Sequence, residues 1–333
     1  MMKAAVQTAY GPPEVVVIRD IPKPVPKGDE VLVRVVATTV TSGDSRLRAF
    51  RVPAAFWLPA RLFMGLTRPR KTVLGSEFAG EIAAVGEAVT RFSIGDRVFG
   101  MHVYGAHAEF KLLPETAAIL ALPDDLDFGE AAALPFGALT ALFFLTKAGL
   151  KAGERILING ASGAVGSFGV QLAHHFGAHV TAVTSGGNAA LVRSLGADSV
   201  LDYTVSDVSR SGERYDVVMD MVDTISVAQF RRIATKNARL LAVNAGGGMF
   251  LRAGLARLFA GPRIIVGMAT ETLQDLETIR NLVVSGAIRP TIGQRFALVD
   301  IVKAYTLVDS GRKRGAVVVE VAQAAGTIRS PGT

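Results

Sequence analysis

One seven-residue stretch constrains this chain more than any other: Gly160-Ala161-Ser162-Gly163-Ala164-Val165-Gly166. It follows an apolar run, Arg155 to Asn159, and opens a helical segment, roughly Gly163 to Phe176. In a strand–turn–helix of this kind each glycine has a separate steric duty. Gly160 allows the tight turn, Gly163 lets the main chain approach a pyrophosphate, and Gly166 lets the helix lie close against the sheet. The free amides at the helix start then form an anion site. Gly160, Ser162, Gly163, Ala164, Val165 and Gly166 are therefore expected to bind a dinucleotide; a merely tight turn is the plainer reading.

The flanking pattern extends this unit. His179 to Thr184 reads as the next strand, Asn188 to Leu195 as a helix and Ser199 to Asp202 as a short strand. Tyr215 to Met219, Ala238 to Asn244 and Arg263 to Met268 supply further strands. Near-continuous apolar strands belong to a parallel sheet covered on both faces. The first 120 residues have a different texture. Residues 2–9, 15–19 and 31–40, Glu77 to Val85, Arg97 to Phe99 and His107 to Leu113 read as strands, punctuated by Pro22, Pro24, Pro26 and Gly95-Asp96. Helical segments, Asp127 to Leu134 and Gly137 to Leu145, mark a change near residue 126. Leu273 to Ser285 and Asp300 to Val308 are expected helices near the far end, where short β patterns return. At 333 residues the chain fits two domains. The texture breaks near residue 126 and returns to β near residue 290.

The chain has no cysteine, which excludes disulfides, thiolate zinc sites, iron–sulfur ligation and a cysteine nucleophile. His174, His175 and His179 lack metal-site spacing, and His107 reads as structural, so no metal site is expected. The net charge of +7 suits an anionic cofactor or surface; no motif supports nucleic-acid binding. No signal peptide opens the chain and no apolar run of 18 residues occurs, so a cytoplasmic location is the expectation. The end of the second strand, Thr184-Ser185-Gly186-Gly187-Asn188, lacks the carboxylate that would accept from ribose hydroxyls. Ser185 and Asn188 can donate to a 2′-phosphate, which favours NADPH, although the same residue types suit a turn and a cap. From residue 45 to 71 there are seven bases and no acid, interleaved with Phe56, Trp57, Leu58, Leu62, Phe63 and Leu66. Met249 to Arg263 repeats the style. A pocket lid, a subunit contact and a peripheral contact with anionic membrane are the open readings.

These residues carry a resemblance. Met2-Lys3-Ala4, Gly75-Ser76-Glu77-Phe78-Ala79-Gly80, Gly95-Asp96-Arg97-Val98-Phe99, Gly105-Ala106-His107-Ala108-Glu109-Phe110, the glycine turn and Gly311 to Val318 resemble the medium-chain dehydrogenase/reductase superfamily, specifically its zinc-free quinone oxidoreductase-like branch. The resemblance covers about residues 1–321. It implies an α/β fold: a GroES-like, partly barrelled β catalytic domain plus a Rossmann doubly wound parallel sheet, with the active site in the cleft. The division it implies is a β-rich domain from 1–125 and 271–333 around a nucleotide-binding domain at 126–270. The zinc-ligand positions of relatives match Thr41, Ser76 and Phe136, which do not form a zinc ligand set. Zinc-free relatives often carry Asn at position 41, where this chain has Thr41-Ser42-Gly43-Asp44. The resemblance places Thr140 by the nicotinamide, Tyr203 by the 2′-phosphate, and Val222, Asn244, Ala245 and Gly246 along the cofactor. Lys313 and Arg314 stand beside Gly315-Ala316, where relatives have Gly-Lys. The expected activity is NADPH-dependent, zinc-independent hydride transfer to a small hydrophobic acceptor, a quinone or an α,β-unsaturated carbonyl, with Thr41 and Tyr104 as candidate catalytic donors. The alternative is a catalytically inactive NADPH-binding sensor or structural protein. A homodimer joined at the edge strand Arg263 to Met268 is also implied.

Overall fold

The computed structural model describes residues 1–52, 56–245, 248–249, 252–254 and 262–322. The chain opens with an antiparallel pair, β1 (Met2–Gln7) and β2 (Val16–Ile21). Next comes β3 (Glu30–Thr39), whose Val31, Val33 and Val35 are fully buried. Two helices follow, α1 (Ser42–Ala49) and α2 (Trp57–Met64). The sequence reading assigned no helix here, because both are too short for the apolar period to show. A reciprocal cap starts α1: Thr41 accepts from the Asp44 amide, and the Asp44 carboxylate accepts from the Thr41 amide. The strands β4 (Glu77–Val85), β5 (Arg97–Met101), β6 (Phe110–Pro114) and β7 (Ala118–Ala121) complete this lobe's first half.

Two helices, α3 (Phe128–Ala132) and α4 (Pro135–Ala148), lead into the alternating unit. Proline in the first turn suits the start of α4, and Gly149 in a left-handed conformation stops it. Then come β8 (Arg155–Asn159), α5 (Ala164–His175), β9 (His179–Thr184), α6 (Ala189–Ser194) and β10 (Ser199–Asp202). The unit continues with β11 (Tyr215–Asp220), α7 (Val227–Ile233), β12 (Ala234–Ala242) and β13 (Arg263–Ile265). The chain closes with α8 (Leu273–Val284), β14 (Ile292–Ala297), α9 (Ile301–Asp309) and β15 (Ala316–Glu320).

The strands β8 to β13 form one parallel sheet in the order β10-β9-β8-β11-β12-β13. Their direction of progression reverses between β8 and β11, and such a switch point opens a crevice at the carboxyl ends of the strands. Ile156, Leu157 and Ile158 are buried between helices on both faces, each burial contributing about 1.5–3 kcal/mol. The helix α4 crosses α5 closely because residue 137 is glycine: a Cβ there would lie 2.7 Å from the Ala164 carbonyl oxygen.

The other large sheet runs β14-β15-β3-β4-β5-β7, with β6 also on β3. It joins both ends of the chain, since β15 pairs antiparallel with β3 and sets Val318 opposite Thr39. That pairing carries residues 313–316 to the junction between the two sheets. Two expected strands differ in extent. The ladder of β13 stops at Ile265, opposite Leu241, one residue before its partner β12 ends at Ala242. At its other end β12 starts at Ala234, its polar Thr235-Lys236-Asn237 having concealed it in the sequence.

Candidate active site

The glycine turn leaves β8 at the switch point. Gly160 has φ +82, a conformation that favours glycine. A Cβ at Gly166 would stand 2.2 Å from the Gly160 carbonyl oxygen, so glycine there sets the helix against the turn. Gly163 is different: a Cβ would meet its nearest neighbour at 3.4 Å, leaving its outer side open to a ligand. Gly163 caps α5 without a side chain, and the amides of Ala164, Val165 and Gly166 begin the helix without intrahelical acceptors. This cradle fits a dinucleotide pyrophosphate.

A polar cluster sits beside it, at the tips of β8 and β9. Ser162 Oγ accepts from Thr184 Oγ1 at 2.9 Å and from Asn188 Nδ2 at 3.3 Å, and Asn188 also donates to Ser185 Oγ at 3.1 Å. Tyr203 is exposed, and its amide donates to the Thr184 carbonyl. One carboxylate comes near, from β10 rather than β9. Asp202 Oδ1 accepts from the Thr204 amide and hydroxyl, and these bonds, with one from the Gly186 amide, hold its pKa below the usual carboxylate range.

Val222 packs against Gly160 from the end of β11. Buried Asp220 shapes that loop by accepting from Asn159 Nδ2 and the amides of Val222, Asp223 and Ile225. Asn244 offers its carbonyl to Arg46 of α1 at 3.4 Å, a contact between the two lobes. Ala245 packs on the adjoining core, while Gly246 lies outside the described residues. Thr140 is half-buried on α4.

Where the lobes meet, Thr39, Thr41, Glu77, Phe136, Ala164 and Lys313 enclose a narrow seam of about 10 Å³, room for about one water. Glu77 is buried there: Thr39 Oγ1 donates to it through a short bond, and the Phe136 amide donates at 2.7 Å. Burial dominates these donors and pushes the carboxyl pKa up to about 8. Lys313 donates to the Gly315 carbonyl at 3.3 Å, and burial of its amine lowers its pKa to about 8 against the pull of Glu77. Lys111, fully enclosed, donates to the carbonyls of His102 and Tyr104 and is lowered to about 7 by desolvation. Composition did not flag Glu77 or Lys111; each sits in a strand whose neighbours are apolar.

Thr41 and Tyr104 make no contact with each other among the described residues. The Thr41 hydroxyl donates to Asp44 Oδ2 at 2.6 Å and accepts from the Asp44 amide, so its proton serves the α1 cap. Tyr104 is half-buried and its hydroxyl has no hydrogen-bond partner among the described residues; burial raises its pKa. His107 is structural: Nε2 donates to the Thr39 carbonyl at 2.9 Å, Nδ1 faces the Tyr305 hydroxyl at 3.3 Å, and desolvation favours the neutral ring. A larger hollow of about 750 Å³, lined by Arg155, Asp198, Ser199, Glu213 and Tyr215, lies at the amino ends of the parallel strands. It is remote from the glycine turn, and in open α/β sheets ligands bind at the opposite ends.

Comparison with known proteins accounts for this arrangement. Residues 27–124 match the alcohol dehydrogenase GroES-like domain, and residues 195–319 match the zinc-binding dehydrogenase family. The chain is 33% identical to a 2-methylene-furan-3-one reductase of Solanum lycopersicum, across 96% of this chain and 79% of that protein. It is 31% identical to an NADPH-dependent alkenal/one oxidoreductase of Arabidopsis thaliana, across 96% and 79%. The structure of a quinone oxidoreductase from Coxiella burnetii superposes with a TM-score of 0.85 at 27% identity, covering 96% of this chain and 99% of that one. The metal in one family's name does not fit here. Thr41 is committed to Asp44, Phe136 offers carbon only, and no group of three or more metal-ligating His, Asp or Glu side chains occurs among the described residues. The chain belongs to the medium-chain dehydrogenase/reductase superfamily, as a zinc-independent member of its quinone oxidoreductase-like branch.

Proposed function

We propose that this enzyme reduces a quinone or an α,β-unsaturated carbonyl compound with NADPH. The observation that carries the reading is the Gly160–Gly166 cradle at the sheet's switch point, abutting a junction that holds no metal ligand set among the described residues. When bound, the reduced nicotinamide supplies the hydride. The free amides of Ala164 and Val165 hold the pyrophosphate, and Gly163, its own amide bonded to the Gly160 carbonyl, leaves room for it to approach. Ser162, Ser185, Asn188 and Tyr203 border the adenosine ribose and leave its 2′ position without a facing carboxylate from β9, while Asp202 is occupied by its own amide and hydroxyl donors. That arrangement supports NADPH over NADH. Thr140 borders the nicotinamide, and Val222, packed on Gly160, lines the cofactor beside the glycine turn.

A conjugated acceptor spreads the charge that develops at its oxygen, so positioning carries much of the catalysis. The Tyr104 hydroxyl, which has no hydrogen-bond partner among the described residues, is the proposed hydrogen-bond donor to the substrate oxygen; Thr41 acts by fixing α1, and solvent delivers the single proton that accompanies the hydride. The edge strand β13, which pairs with β12 on one side only, is the proposed homodimer contact; a monomeric mass in sedimentation would refute that part.

The test is loss of reduced-nicotinamide absorbance with NADPH, and with NADH as the matched control. The acceptors are ortho- and para-quinones, enones and enals of varied length, and saturated aldehydes. NADPH-dependent turnover of quinones or enones is expected, and product analysis separates the two. Turnover of saturated carbonyls alone would overturn the reading.

A further inference from the structure

The helix α2 has the sequence WLPARLFM, yet none of its eight residues is buried. Leu58, Leu62, Phe63 and the following Leu66 are each more than half exposed, Phe63 by 78%. Apolar side chains concentrated so tightly on a surface mark an interaction site. The helix is nevertheless firmly held. Arg61 lies over the rings of Phe50, Tyr10 and Trp57, at 4.0, 4.4 and 5.3 Å from their centres. Tyr10 donates its hydroxyl to the Met64 carbonyl at 2.9 Å, and the Arg70 amide donates to the same carbonyl at 2.8 Å. The guanidinium groups of Arg61 and Arg70 donate to the carbonyls of Leu66 and Phe63. All of these anchors lie on the inner side or at the carboxyl end, so the helix is fixed in place while nothing among the described residues covers its outer face.

We propose that this face is a docking surface for an anionic lipid bilayer. Charge complementarity selects that occupant. No acidic residue occurs between Asp44 and Glu77. Arg68, Arg70 and Lys71 follow the helix directly and are exposed. An apolar ridge edged by cations matches the headgroup–acyl boundary, where the ridge enters the acyl region and the cations meet lipid phosphates. A protein partner would need a groove shaped to α2, whereas a bilayer needs only a ridge that projects. The inference rests on this surface alone and stands apart from the acceptor reading.

The chain carries its own reporter, because its single tryptophan is Trp57, at the start of α2. The experiment adds vesicles of phosphatidylcholine, with or without one-third phosphatidylglycerol, to the full-length chain at low salt. Trp57 emission and co-sedimentation are both read. Expected are a blue shift, quenching by brominated acyl chains, and pelleting with the anionic vesicles only. Binding should weaken as salt rises. A Leu62→Ser/Phe63→Ser variant and an Arg68→Glu/Lys71→Glu variant should each lose about tenfold or more in partitioning. Unchanged far-UV circular dichroism will show that they fold, and the second pair, on exposed side chains, guards against failure of the first. No emission change or pelleting with anionic vesicles would overturn the proposal. So would a blue shift that grows with protein concentration in the absence of lipid together with a dimeric mass, which would assign the face to a second copy.

Discussion

Glu77 holds a proton at neutral pH because its burial outweighs the two donors that face it. Its folded pKa of about 8 stands above the ordinary carboxylate value of 4.5, so between those values the folded protein binds a proton that the unfolded chain has released. Stability associated with this group is fully present below pH 4.5 and is lost as pH rises through about 8. Glu77→Gln removes that dependence. Urea unfolding of the two proteins from pH 5 to pH 8 should show the variant gaining on the parent, by up to about 1.4 kcal/mol per pH unit; a constant difference would refute the assignment. Thr41 makes a second residue-scale case. Thr41→Ala should cost about 1 kcal/mol through loss of the α1 cap, and Thr41→Ser should restore nearly all of it. Equal loss in both variants would show that the methyl group, rather than the hydroxyl, matters. The motif containing Thr41 and Asp44 was visible in the sequence, but the fate of the hydroxyl proton was not, since it depends on α1 forming at all.

At the scale of elements, the three glycines of the turn separate by what surrounds them. Gly166→Ala drives a Cβ into the Gly160 carbonyl, and neither main-chain segment can yield cheaply. It should lower both the melting temperature and NADPH affinity. Gly163→Ala meets only ordinary contacts within the chain, so stability should stay within about 0.5 kcal/mol while NADPH affinity falls at least about tenfold. Calorimetric titration and thermal unfolding check the pair; parallel behaviour of the two variants would contradict the distinct duties argued from the spacing. The parallel unit was legible because its strands are buried on both faces and its turn chemistry is local. The helices α1 and α2 were not legible, since eight residues give barely two turns of period. Here capping and aromatic contacts do what amphipathic repetition does in longer helices.

At the scale of the molecule, the last strand returns across the glycine turn. The Gly315 amide donates to the Ser162 carbonyl at 2.8 Å, and Lys313 reaches the seam beside Glu77. Gly315 has φ +56, and a Cβ there would lie 2.2 Å from the Thr291 carbonyl oxygen. Gly315→Ala should therefore cost more than about 2 kcal/mol in urea unfolding and weaken NADPH binding at the same time. Lost stability with unchanged affinity would show that this closure does not shape the cofactor site. The sequence by itself determined the parallel nucleotide-binding unit and the absence of a thiolate metal site, because glycine sterics, apolar runs and missing cysteines act locally; the superfamily came from the resemblance of its motifs to known proteins. Only the tertiary structure decided that Glu77 and Lys313 share a desolvated seam, that the Thr41 proton belongs to Asp44, and that α2 exposes an apolar face. Those outcomes depend on which distant segments exclude water from one another, and pairing β3 with β15 brings together residues nearly the whole chain apart.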